Sequence, residues 1–288
     1  MTLLAVWGEA VSSRNWKKNM SYRIASAGHS FSRLQDVQNQ SEVDILFLGS
    51  SHTYRGFDTR VFEQAGYSSF NLGSTAQTPI QTKALVERYY DQLNPDVVIL
   101  EVYPETFMID GVESGLDIIS NGPMDLHALK MSARLNHVKS WNTFLYGSYR
   151  KALGRDAQIV ENERRGDDVY IPGGFVYRDS DKFKEKGEIP LKEWDPRADQ
   201  WNDFLDILEL AGSKSRVVLV QSPVTQKSYC SYIGLDKIDS TFASLGEYVN
   251  FNYELDMNDS LHFFDADHLN QEGVELFNRA LISYLEKE

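Results

Sequence analysis

The stretch Asp44-Ile45-Leu46-Phe47-Leu48-Gly49-Ser50-Ser51-His52 decides the fold. Its first half is a near-continuous apolar run, the pattern of a strand buried on both faces of a parallel sheet. Gly49 lets the chain turn sharply as it leaves that strand. The hydroxyls that follow then stand at the carboxyl edge of the sheet, beside a helix N-terminus whose N–H groups favour negative charge. Four more β-branched or aromatic runs, at 67–72, 96–102, 216–221 and 248–253, read as strands. Trp201, Phe204, Leu205 and Leu208 repeat at helical spacing. Val274, Phe277, Leu281 and Leu285 do so again behind Asn270, a candidate N-cap. Strand and helix alternate, so the expected class is α/β with a mainly parallel sheet of five strands and helices on both faces.

The spacing is uneven. Residues 104–196 exceed what a crossover needs and are rich in Gly, Pro and charge, so they read as an inserted subdomain or lid, partly helical over 124–152. The α/β core is expected over 42–103 and 197–288, with 1–41 as a helical lead-in. The 288 residues carry a net charge of −13, which disfavours nucleic acid as a partner. The single cysteine, Cys230, excludes an intrachain disulfide and a Cys-rich metal site. The start, mildly apolar to Val11 and then basic at Arg14, Lys17 and Lys18, fits either the trailing end of a lost membrane anchor or a surface helix. Neither oligomeric state nor compartment is written in these features.

Two motifs carry chemistry. Ser51 is a candidate nucleophile; the alternatives are a helix-capping role and its neighbour Ser50 as the reactive hydroxyl. Asp265-Ala266-Asp267-His268 supplies a candidate base, His268, with Asp265 three residues earlier to hold Nδ1 while Nε2 takes a hydroxyl proton. Adjacent Asp267 is expected to diverge from the ring. Together these are the side chains of a Ser-His-Asp relay. Two rival readings of the same loop are an acidic turn capping the last helix and a metal site of His262, Asp265, Asp267 and His268.

Gly49-Ser50-Ser51-His52-Thr53 resembles the first block of the SGNH/GDSL hydrolase superfamily, with Ser50 where Asp is usual. Asn71-Leu72-Gly73 is similar to the second block, and Asp265-Ala266-Asp267-His268, continued by Asn270-Gln271-Glu272-Gly273, to the last. The resemblance spans 42–103 and 197–286. It implies a flavodoxin-like three-layer α/β/α sandwich and an ester-cleaving serine chemistry without cofactor. It further implies Ser51, Asp265 and His268 as the triad, with the N–H groups of Ser51 and Gly73 as oxyanion donors. The third block departs: Ile99-Leu100-Glu101-Val102-Tyr103-Pro104-Glu105 has no Asn, the usual third donor. Tyr103 and Gln77 are the candidate substitutes, and His52 a candidate cleft residue. That departure and the Ser-Ser start resemble the polysaccharide O-acetyltransferase and envelope-acyltransferase branch. The expected substrate is therefore a small-molecule or polysaccharide ester, in a bacterial envelope setting with association to a membrane through an N-terminal anchor. A scaffold that binds glycan without catalysis is the alternative.

Remaining features have two readings each. Arg55 could bind an acidic substrate group or pair with Asp58. Trp141, Phe144, Tyr146 and Tyr149 could stack on sugars or form a core. Gly173-Gly174-Phe175 could hinge a lid or simply turn.

Overall fold

The computed structural model describes residues 19–26, 28–179, 183 and 187–287. The expected anchor at 1–18 lies outside the described residues. Five strands form one parallel sheet: β1 (Ile45–Leu48), β2 (Ser69–Asn71), β3 (Val97–Glu101), β4 (Arg216–Gln221) and β5 (Glu247–Asn250), in the order β5-β4-β3-β1-β2. In register, Phe47 stands between Asn71 and Ile99. Chain order turns back between β1 and β3, so the carboxyl ends of these two strands border the crevice where ligands of such sheets collect.

Alternation along each strand divides the core. Leu46, Leu48, Val98, Leu100 and Leu219 face a layer that includes helices α4 (Pro79–Leu93) and α8 (Ala198–Gly212). Ile45, Phe47, Ile99, Val218 and Val220 face the other way. They meet Phe62 of α3 (Thr59–Gln64) and Val274, Phe277 and Leu281 of α10 (Gln271–Leu285). The result is three layers, and the middle of the sheet is buried on both faces, which is why β1 and the interiors of β3 and β4 read as apolar runs.

Two boundaries differ from expectation. The last strand ends at Asn250 rather than 253, because the Asn250 side chain accepts the Asn252 N–H (3.0 Å) and starts a helical turn, Phe251–Glu254. Between β3 and α8 the helix expected over 124–152 is present as α6 (Leu126–Leu135) and α7 (Val138–Ala152), and α5 (Val112–Asn121) precedes them unexpected. Phe144 of α7 packs on the main core and Tyr149 is buried, so these aromatics serve packing. The same segment then forms a hairpin, Asp168–Ile171 with Phe175–Arg178. Gly173 and Gly174 are its turn, at φ 90° and 95°. Far from hinging a lid, that turn docks on the sheet: Gly173 C=O accepts from Asn71 N–H at 2.8 Å, and Gly174 C=O accepts from Nε of buried Arg33 at 2.9 Å.

Candidate active site

The turn after β1 is shaped by close approach. Gly49 sits at φ 143°, and a Cβ there would lie 2.8 Å from Glu101 Cβ on the neighbouring strand. Ser50 follows as N-cap of α2 (Ser51–Gly56), accepting the His52 N–H at 3.4 Å. Its hydroxyl turns inward, 3.0 Å from His52 Nδ1 and 3.3 Å from Glu101 Oε2. Ser50 is therefore spent inside the fold, and Ser51 is the hydroxyl that faces the cleft. Among the described residues the Ser51 N–H has no acceptor.

The opposing loop is closed by a bridge between Phe263 and Leu269 and by the Phe264 N–H on His268 C=O (3.1 Å). It is pinned at its tip, where Ala266 C=O accepts from Thr225 Oγ1 (2.6 Å) and Ser228 Oγ (2.7 Å). Asn270 ends the loop as the N-cap of α10, its side chain accepting the Gly273 N–H at 3.0 Å.

Within this frame Ser51 Oγ donates to His268 Nε2 at 2.9 Å, across 217 positions of sequence. His268 Nδ1 donates to Asp265 Oδ1 and Oδ2 at 3.0 and 3.1 Å. Asp265 Oδ1 also accepts the N–H groups of Asp267 and His268 at 3.1 and 2.9 Å, which fixes the carboxylate. Asp267 does not diverge as expected: its Oδ1 is 3.3 Å from the same Nδ1. Burial works against an imidazolium at His268, but the hydrogen bonds to both aspartates outweigh it and hold its pKa up at about 9. At Asp267 burial favours the neutral acid, yet the bond to His268 wins and its carboxyl stays well below the ordinary range.

Two rings lie near-parallel to that of His268. Phe264 stacks at 5.4 Å and 8°, His52 at 5.1 Å and 14°. His52 in turn lies against Tyr103, centroids 4.1 Å apart. His52 is thus a buried neighbour of the His268 ring as well as a wall of the cleft.

A cavity of about 250 Å³ opens in front of Ser51, lined among others by Thr75, Ala76, Tyr103, Ile109, Ile189 and Ser228. Gln77 is absent from it. That side chain is buried, accepting from Ser74 Oγ (2.8 Å) and donating to Thr82 Oγ1 (3.0 Å), so its amide is consumed by the turn before α4. Gly73 also departs from expectation. Its N–H donates to Asn71 Oδ1 at 3.0 Å, and a Cβ there would lie 2.7 Å from Ser50 C=O. The glycine is required for packing under α2. Facing the cavity instead are Thr75 and Ala76, whose N–H groups have no acceptor among the described residues. Ala76 has φ 50°, a left-handed conformation uncommon for a residue with a side chain. Nothing in the sequence marks it, because alanine rarely signals positive φ.

Arg55 pairs not with Asp58 but with Asp168, at 3.0 and 2.8 Å; Asp58 is taken by Arg60 and caps α3. His262 leaves the acidic loop, its Nδ1 accepting from Asn258 N–H (3.0 Å). The four-residue metal set is thereby reduced to Asp265, Asp267 and His268, with donor atoms within 4.8 Å. A cation held there would compete for the Nδ1 that Asp265 occupies. Two further residues escaped sequence reading: Phe264, hidden in an ordinary apolar pair, and Glu101, whose burial pushes its carboxyl up to about 8.

No family model and no curated protein matches this chain. Solved structures do resemble it. One is described as a GDSL-like lipase from Bacteroides thetaiotaomicron: 12% identity, TM-score 0.43, covering 90% of this chain and 98% of the other. Another, provisionally described as an acylhydrolase from Bacteroides fragilis, has 12% identity and TM-score 0.42, covering 93% and 99%.

Proposed function

We propose that this protein is an SGNH-type serine enzyme that cleaves or transfers esters. The reading is carried by one observation: a hydroxyl, an imidazole and a carboxylate in hydrogen-bonded series, Ser51–His268–Asp265, at the mouth of a cavity. His268 Nε2 removes the Ser51 proton as Oγ attacks the ester carbonyl. Asp265 keeps Nδ1 protonated and steadies the imidazolium that forms. The N–H groups of Ser51, Thr75 and Ala76, which line the cavity and have no acceptor among the described residues, are the candidate donors to the developing oxyanion, where each donor is worth about 10²–10³ in rate. His268 then protonates the departing alkoxide, leaving an acyl-Ser51 ester. Water, or the hydroxyl of an acceptor, attacks that ester with His268 as base again.

The cavity in front of Ser51 suits a short acyl group. Acylated carbohydrate as substrate, O-acyl transfer and an envelope setting rest on the resemblance of the sequence blocks.

Labelling with a serine-directed fluorophosphonate tests the reading. Covalent modification at Ser51, lost in Ser51→Ala together with turnover of p-nitrophenyl acetate, is the expected result; the turnover loss reaches about 10⁶. An unlabelled but folded protein that binds glycan would instead support the non-catalytic scaffold.

A further inference from the structure

Behind the triad lies a second hydrogen-bonded series that the reaction does not consume. Glu101 ends β3, is 4% exposed, and its Oε2 is 3.3 Å from Ser50 Oγ. Ser50 Oγ is 3.0 Å from His52 Nδ1. His52 is 6% exposed, its Nε2 is buried without a hydrogen-bond partner, and its face lies on that of His268. We propose that Glu101, Ser50 and His52 form a positioning relay: the first two fix the ring of His52, and His52 fixes the ring of His268. The inference rests on the proposed role of His268 as base.

The geometry explains why such a device matters. Asp265 holds His268 by one edge, which leaves the ring free to swing about that contact. Phe264 and His52 lie near-parallel to it, at 5.4 and 5.1 Å, and restrict that swing while Nε2 meets Ser51. A flat face at that position must also carry no charge, since the imidazolium formed during reaction would repel a cation stacked upon it. Burial together with the nearby His268 drives His52 down to about 3, and burial drives Glu101 up to about 8, so both stay uncharged near neutrality.

Steady-state kinetics on an ester substrate tests this with three variants. His52→Ala should lower kcat up to about 100-fold, the scale of a misplacement of about 1 Å, with KM within about twofold. His52→Phe keeps a flat face and should stay within about fivefold of wild type. Ser50→Ala should lower kcat about tenfold in the wild-type background and leave it unchanged in the His52→Phe background, because its effect runs through His52. Ser50 also caps α2, and an equal loss in both backgrounds would assign its effect to the cap and overturn the relay. So would a His52→Ala variant of unchanged kcat. Nitrogen NMR of the His268 imidazole gives a readout apart from activity: signals unchanged between wild type and His52→Ala would overturn the relay. Wild type without labelling at Ser51 would remove the enzyme reading and this one together; a labelled, active wild type with indifferent variants would remove this one alone.

Discussion

Asp267 Oδ1 stands 3.3 Å from the same His268 nitrogen that Asp265 holds at 3.0 Å. The two carboxylates are not equivalent. Asp265 also receives two backbone N–H bonds and so is locked in place, whereas Asp267 adds negative charge without that anchorage. Asp265→Asn should cost about 10⁴ in kcat by disturbing the tautomer and orientation of the imidazole. A loss from Asp267→Asn as large as that from Asp265→Asn, in kcat at high pH, would refute this division of labour.

The second consequence concerns pH. The base works only when unprotonated, and the paired aspartates hold its pKa near 9. In free enzyme kcat/KM should therefore climb with pH and level off only around 9, in place of the unperturbed value of roughly 6.5. Asp267→Asn should move that limb toward neutrality, raising kcat/KM at pH 7 while leaving the alkaline plateau unchanged. A pH–rate profile of both proteins between 5 and 10 reads the two limbs directly.

Gly73 and Ala76 separate packing from chemistry. A Cβ on Gly73 would press on Ser50 C=O at 2.7 Å and on Tyr54 N at 3.0 Å. Gly73→Ala should thus lower stability by about 1–3 kcal/mol, visible as a fall in Tm. Ala76→Gly, at φ 50°, should keep both Tm and kcat, since glycine adopts that conformation without penalty. An unchanged Tm in Gly73→Ala would contradict the close approach described above.

Glu101 makes folding itself pH-dependent. Its folded pKa, near 8, exceeds the ordinary 4.5. Between those values the folded chain binds a proton that the unfolded chain has released, so stability is full below 4.5 and declines as pH rises toward 8. Thermal melts at pH 5 and pH 8 should show a smaller drop for Glu101→Gln than for wild type. His268, also raised, lowers stability in the same direction, but only above its own ordinary 6.5 and in both proteins.

What the sequence disclosed depended on whether a signal was local. Strands β1, β3 and β4 announce themselves because a parallel strand covered on both faces is apolar along its middle and carries polar residues, here Glu101, Arg216 and Gln221, only at its ends. Ser51, Asp265 and His268 stand in short blocks whose spacing carries their meaning. By contrast, Phe251 and Tyr253 look like strand residues, and only the turn of the Asn250 side chain onto the Asn252 backbone ends the strand before them. Arg55 finds Asp168 a full 113 positions away, while Asp58, the near candidate, goes to Arg60. Gly73 is expected as a donor from the resemblance of Asn71-Leu72-Gly73 to a family block, yet its N–H is taken by Asn71 Oδ1, and the cavity is lined instead by Ala76, an unremarkable letter in an unusual conformation. Such assignments depend on tertiary contacts that no window of sequence contains.

One bond at the margin of the sheet has a wider bearing. By accepting the Asn71 N–H, the Gly173 turn occupies a position on the outer strand β2 where another chain's backbone could otherwise attach. That flank is sheltered from strand-by-strand polymerisation.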